Sequence, residues 1–178
     1  MAELITALTQ CTGEIDLQRT PVRPVDLMQE PLAAASAEER PSQLKVHLDA
    51  AYDPGLVSLD APCITRSLIQ LIDNAFYAMA ATREPTLTLS INKTFNDQGI
   101  VCLLLSVKDN GCGIDDAIQD QVFEAFFTTK PPGCHRGLGM VMVDIGAFQH
   151  GGDVLLSSAP GHGTDVTLRL PINVYGHA

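Results

Sequence analysis

"FFTTKPPGCHRGLGMVMVDIG", residues 126–146, sets a lysine, two prolines and three closely placed glycines ahead of an apolar run. Such a stretch can be a dinucleotide fingerprint, a P-loop, or a loop turning into a helix. The fingerprint requires G-x-G-x-x-G directly after a strand. Here Gly137 and Gly139 are followed by Met142, and a proline-bearing loop precedes them. A P-loop requires Gly-Lys-Ser/Thr, and that tripeptide does not occur in the chain. What survives is a loop running into a helix that begins at Leu138. The first turn of a helix has unpaired N–H groups and a positive dipole end, which together suit an anion. Glycines there let a phosphate approach the backbone, although they serve equally well as turns or caps.

Working outward, the 178 residues suffice for one domain with its own core, or one domain and a short extra segment. Five cysteines lie scattered without CxxC or Cys/His metal spacing, as in a reducing cytosol. The net charge of −10 argues against nucleic-acid binding and against direct contact with an anionic membrane, both of which need basic stripes. No signal peptide is visible, and the apolar run near residue 140 is too short to span a bilayer. A cytoplasmic chain is expected, either by itself or as the cytosolic part of a membrane-bound protein.

Leu4, Ile5 and Leu8 have helical spacing, and "RTPVRPVD" (19–26) reads as a linker. A helix is expected over 26–37 with Asp26 as its N-cap. "LKVHLDA" (44–50) and "GLVSLD" (55–60) alternate like two strands joined by a turn at Pro54 and Gly55. Asp60 should cap a long helix through Ile64, Leu68, Leu71, Ile72, Ala75 and Met79, with Pro62 in its first turn. "TLTLSIN" (86–92) and "GIVCLLLSVKD" (99–109) read as strands, the second buried on both faces, and "GGDVLLSSAPGHGTDVTLRLPI" (151–172) as two strands around a turn. The interleaving is not a strict βαβ alternation, so the expected fold is α/β, a two-layer sandwich with a mixed sheet.

Five segments occur in order: "LIQLIDNAFYAM" (68–79), "VKDNGCGI" (107–114), "FEAFFTTK" (123–130), "RGLGM" (136–140) and "PGHGTDVTLRLP" (160–171). Together they resemble the five motifs of the ATP-binding catalytic domain of sensor histidine kinases, in the superfamily shared with gyrase, Hsp90 and MutL. The resemblance covers residues 44–172 and implies the Bergerat-type ATP-binding fold. It further implies residues 1–25 as the end of a dimerisation helix with its linker, and 26–178 as the catalytic domain.

The resemblance implies ATP and Mg²⁺ as cofactors. Asn74 is then the metal ligand, a neutral oxygen donor for a hard cation; alternatively it is a helix-face amide with a local hydrogen bond. Asp109 would accept a hydrogen bond from the adenine amine, with Gly111, Gly113 and Ile114 shaping the base pocket; an Asx turn is the plain alternative. Tyr77 would stack on the base or simply pack. Phe123, Phe126 and Phe127 would anchor a lid or join the core. Lys130 and Arg136 are candidate phosphate contacts and, with Asn74, the candidate catalytic residues. Gly137, Leu138 and Gly139 would face the phosphates, and Thr164 the adenine. His135 is assigned to the lid.

Gln70, one helical turn before Asn74, stands where ATP-hydrolysing relatives carry a glutamate base, and an amide cannot take a proton from water. His150 is expected to close a helix C-terminus with a partial positive charge. The phosphoacceptor of such kinases lies in an H-E/D-x-x-x-P stretch, and none of His47, His135, His150, His162 or His177 has that context. The expected partners are therefore a separate dimerisation domain carrying the phosphoacceptor, and a response regulator downstream. The alternatives are a serine kinase of the anti-sigma type and a nucleotide-binding docking module without transfer activity.

Overall fold

The structure is a computed structural model that describes residues 17–131 and 137–172. The helical pattern near the N-terminus, together with Cys134, His135 and Arg136, lies outside the described residues. In chain order the elements are β1 (Thr20–Val22), α1 (Pro24–Ala34), β2 (Lys45–Ala50), β3 (Val57–Leu59) and α2 (Ala61–Ala78). There follow β4 (Thr86–Phe95), β5 (Val101–Asp109), a 3₁₀ helix (Asp116–Phe123), α3 (Gly139–Gln149), β6 (Asp153–Ser158) and β7 (Thr164–Pro171).

Five strands form one mixed sheet in the order β2-β4-β5-β7-β6, in which only β2 and β4 run parallel. Helices cover one face, giving the expected two-layer α/β sandwich. Strand alternation aims Leu87, Leu89 and Ile91 of β4, and Leu103, Leu105 and Val107 of β5, at the buried side of α2. Ile64, Leu68, Leu71, Ile72, Ala75 and Phe76 recur on that side at three- and four-residue spacing, as an amphipathic helix requires. The other sheet face is polar: Ser90, Ser106 and Thr167 stand in register, and the Ser106 and Thr167 hydroxyls lie 2.6 Å apart. Leu104 and Ser106 are consequently only half-buried, so β5 is central in the sheet but closed on one face, not two.

Asp60 caps α2 as its sequence predicts, accepting from the Cys63 N–H at 2.9 Å. The first helix differs from expectation. Proline fits the first helical position because its missing N–H has no partner there anyway. α1 therefore starts at Pro24, with Arg23 at the cap position and Asp26 already inside the first turn. The expected hairpin between β2 and β3 does not form either. β2 pairs in parallel with β4, whereas β3 pairs with β1 in a separate two-stranded antiparallel sheet. Thr20–Val22, within the proline-rich linker stretch, is thereby a strand of the folded domain. No helix among the described residues is long and apolar enough to cross a membrane.

Candidate functional site

β5 ends in the carboxylate of Asp109, only 6% exposed. It accepts the Gly111 N–H at 2.7 Å and a further backbone N–H from Thr164. Burial pushes its pKa above the ordinary value of 3.8, while these two hydrogen bonds oppose that rise and the nearby Asp165 charge adds to it. A buried acceptor held by backbone donors, with no cationic partner among the described residues, suits a ligand's N–H.

Two glycine turns lock together around this carboxylate. Gly113 has φ +71, and a methyl group there would meet the Ala159 carbonyl oxygen at 2.0 Å. Gly163 has φ +78, and a methyl group there would meet the Asp109 carbonyl oxygen at 2.0 Å. Between them, the Gly161 N–H donates to the Cys112 carbonyl at 2.7 Å and the Ile114 N–H to the Ser158 hydroxyl at 2.9 Å. Ser158 also donates to the Gly163 carbonyl and lies 3.0 Å from the Thr164 hydroxyl. The sequence offered no signal for Ser158, since a serine at a strand end is common and its role depends on a turn five residues away.

These turns close one end of a cavity of about 390 Å³. Asp109, Gly113, Ile114 and Thr164 line it on the sheet side, Asn74 and Tyr77 on α2, and Lys130 on the segment after the 3₁₀ helix. Gly111 packs against the Ala78 backbone behind the lining, because a methyl group there would lie 2.5 Å from the Ala78 carbonyl oxygen. Phe127, Thr128, Thr129 and Met140 also line the cavity; neither threonine was singled out from the sequence. Phe126 is 57% exposed, so it has no core role. It instead adopts φ +71, unusual for a side-chain-bearing residue, and donates its N–H to the Gly137 carbonyl at 2.8 Å. That bond ties together the two ends of the 126–137 segment.

Leu138 is the cap residue of α3, whose first residue is Gly139. Gly139 faces Gln70: a methyl group there would lie 2.7 Å from the Gln70 Oε1. Seven residues on, Gly146 faces Ser67 and Cys63, so α2 and α3 run antiparallel and in close contact. His150 closes the far end of this pair. It accepts the Asp60 N–H at Nε2 (3.1 Å), and its Nδ1 lies 2.7 Å from the Gly146 carbonyl. Accepting at Nε2 requires the neutral ring, with the proton on Nδ1 donated to Gly146. The expected partial positive charge at His150 is therefore corrected. Burial lowers its pKa below the ordinary 6.5, against the raising effect of the Gly146 carbonyl.

No cluster of three or more His, Cys, Asp or Glu side chains able to hold a metal occurs among the described residues. A divalent cation at this cavity would take from the chain the half-buried Asn74 carbonyl oxygen, and its remaining ligands from phosphate and water. That donor set fits Mg²⁺, which keeps several waters and binds through few protein groups.

Residues 60–174 match the family model described as histidine kinase-, DNA gyrase B- and HSP90-like ATPase. The chain belongs to that family. Among curated members of this ATPase family, it is 36% identical over 130 residues to the signal transduction histidine-protein kinase AtoS of Escherichia coli, covering 73% of this chain and 20% of AtoS. To the sensor protein FixL of Bradyrhizobium diazoefficiens it is 32% identical over 140 residues, 79% of this chain and 26% of FixL. The chain thus spans about a fifth to a quarter of the length of these relatives.

The ATPase-family fold is also seen in solved structures. The mycobacterial sensor histidine kinase MprB superposes with a TM-score of 0.71 at 21% identity, covering 88% of this chain and 99% of that one. Full-length ShkA in complex with AMPPNP gives 0.76 at 19% identity, covering 98% and 37%.

Proposed function

We propose that this chain is the ATP-binding catalytic domain of a sensor histidine kinase, which binds Mg-ATP and passes the γ-phosphoryl group to a histidine on a dimerisation domain. The observation that carries the reading is the buried Asp109 carboxylate at one end of a cavity that also holds Asn74 and Lys130. Asp109 accepts the adenine amine, and Gly111, Gly113, Ile114 and Thr164 shape the slot for the base. A bound Mg²⁺ would neutralise phosphate charge. Asn74 supplies its protein ligand, Lys130 and Arg136 add positive charge, and the N–H groups of Gly137, Leu138 and Gly139 face the phosphates.

Such a site works by positioning and charge stabilisation. Gln70, packed on Gly139, has no basicity, so nothing at that position can activate water. An acceptor imidazole attacks through its own lone pair and needs no such base, which favours histidine as acceptor. Residues 1–25 are assigned to the end of the dimerisation helix and its linker, whose last part, β1, is folded onto the domain. A response regulator receives the phosphoryl group downstream, and the need for ATP places the domain in the cytosol.

The test has two arms. Mg-ATP is expected to raise the thermal midpoint of the wild-type chain and not that of Asp109→Asn; an unchanged response in the variant would overturn the site. With labelled ATP and a separately produced dimerisation domain, the label should appear on that domain as acid-labile phosphohistidine. Acid-stable label would favour a serine kinase instead.

A further inference from the structure

The charges lining the cavity do not balance a polyphosphate. Among the described lining residues, Asp109 and Asp115 are carboxylates and Lys130 alone is a cation. A lysine on a loop has four rotatable carbons and no preferred direction, so its contribution depends on what holds the ammonium in place. In this chain the Lys130 Nζ lies 4.5 Å from the centroid of the Tyr77 ring, well within cation–π range. Tyr77 is three residues after Asn74 on α2, so the two side chains lie on the same helix face and line the same cavity. The phenol ring therefore holds the Lys130 charge within the cavity that Asn74 also lines.

We infer that Tyr77 is a positioning residue whose ring face holds the Lys130 ammonium inside the nucleotide cavity, and that it contributes to nucleotide affinity through that lysine and not by stacking on the base. This rests on the nucleotide-site reading above. The chemistry is distinctive, because it is the face of the ring that holds the cation. Tyr77 is 38% exposed, so changing it does not open the core.

The test is calorimetric titration of the purified chain with Mg-ATP, Mg-ADP and adenosine. Tyr77→Leu is expected to weaken Mg-ATP by about threefold, the scale of an exposed cation–π contact. Mg-ADP should weaken less and adenosine not at all, while Tyr77→Phe keeps wild-type values. Lys130→Met should weaken Mg-ATP by about tenfold, and adding Tyr77→Leu to it should cost nothing more. Equal losses for all three ligands, or additivity of the two substitutions, would show that Tyr77 touches the base and would overturn the inference. Failure of Tyr77→Phe to keep wild-type affinity would overturn it too. A wild-type chain that binds no Mg-ATP would overturn the nucleotide-site reading itself, and this inference with it.

Discussion

Gly113 and Gly99 share a left-handed backbone, φ +71 and +75, but their surroundings differ. Around Gly99 nothing lies within 4 Å of where a methyl group would stand, whereas at Gly113 the Ala159 carbonyl oxygen is 2.0 Å away. Gly99→Ala should cost only backbone strain, about 1 kcal/mol. Gly113→Ala adds displacement of a backbone that in turn holds Asp109, and should cost at least about 2 kcal/mol. Denaturant melts of the two variants check this. The difference between them isolates the interlocking of the two turns, and only Gly113→Ala should also lose the midpoint shift with Mg-ATP. Gly113 and Gly163 were legible in the sequence because their spacing matched motifs, whereas Gly99 read only as the junction of a loop and a strand. What Gly113 and Gly163 touch was not legible, since the Ala159 and Asp109 carbonyls arrive from other turns. Phe126 shows the same limit: its positive φ answers to Gly137 across the loop, and no local pattern marks it.

At the scale of elements, α2 and α3 are joined at one end by two side chains with separate jobs. Asp60 caps α2 through Cys63 and accepts the Gln18 N–H at 2.9 Å, while its own N–H reaches His150. Asp60→Ala should cost about 1 kcal/mol from the lost cap, read as a lower denaturation midpoint. For His150, burial lowers the pKa, opposed by the Gly146 carbonyl; the Arg19 charge adds to the lowering and Asp60 opposes it. Between the ordinary 6.5 and the lowered folded-state value, the unfolded chain binds a proton that the folded chain does not. The stability from a neutral His150 is therefore complete above pH 6.5 and is lost as pH falls through the lowered value. Unfolding midpoints measured from pH 8 to pH 5 should fall, and His150→Gln should remove this component of the slope. The Asp60 cap of α2 was readable because its signal is local, whereas α1 starts two residues before its expected Asp26 cap, at a proline. The partner of a strand is not readable locally: β2 and β3 alternate correctly and flank a Pro-Gly pair, yet one pairs in parallel with β4 and the other with β1.

For the whole molecule, one continuous core links both helices of the site to the sheet, so ligand binding at the cavity should stabilise the domain as a unit. Mg-ATP at a hundredfold excess over its Kd is expected to raise the unfolding free energy by about 2.7 kcal/mol. Far-ultraviolet circular dichroism and hydrogen exchange of β4 should report the same increase. The mixed sheet was legible from the order of elements, and the parallel β2–β4 pair was the part that required the chain in three dimensions. The placement of β1 has one more consequence. The Gln18 N–H meets Asp60 beside the end of α3, whereas Asn74 lies about 20 Å further along α2 at 1.5 Å per residue. Asp60→Ala should therefore lower the stability of the domain while leaving the midpoint shift with Mg-ATP intact, because the two sites are too far apart to couple.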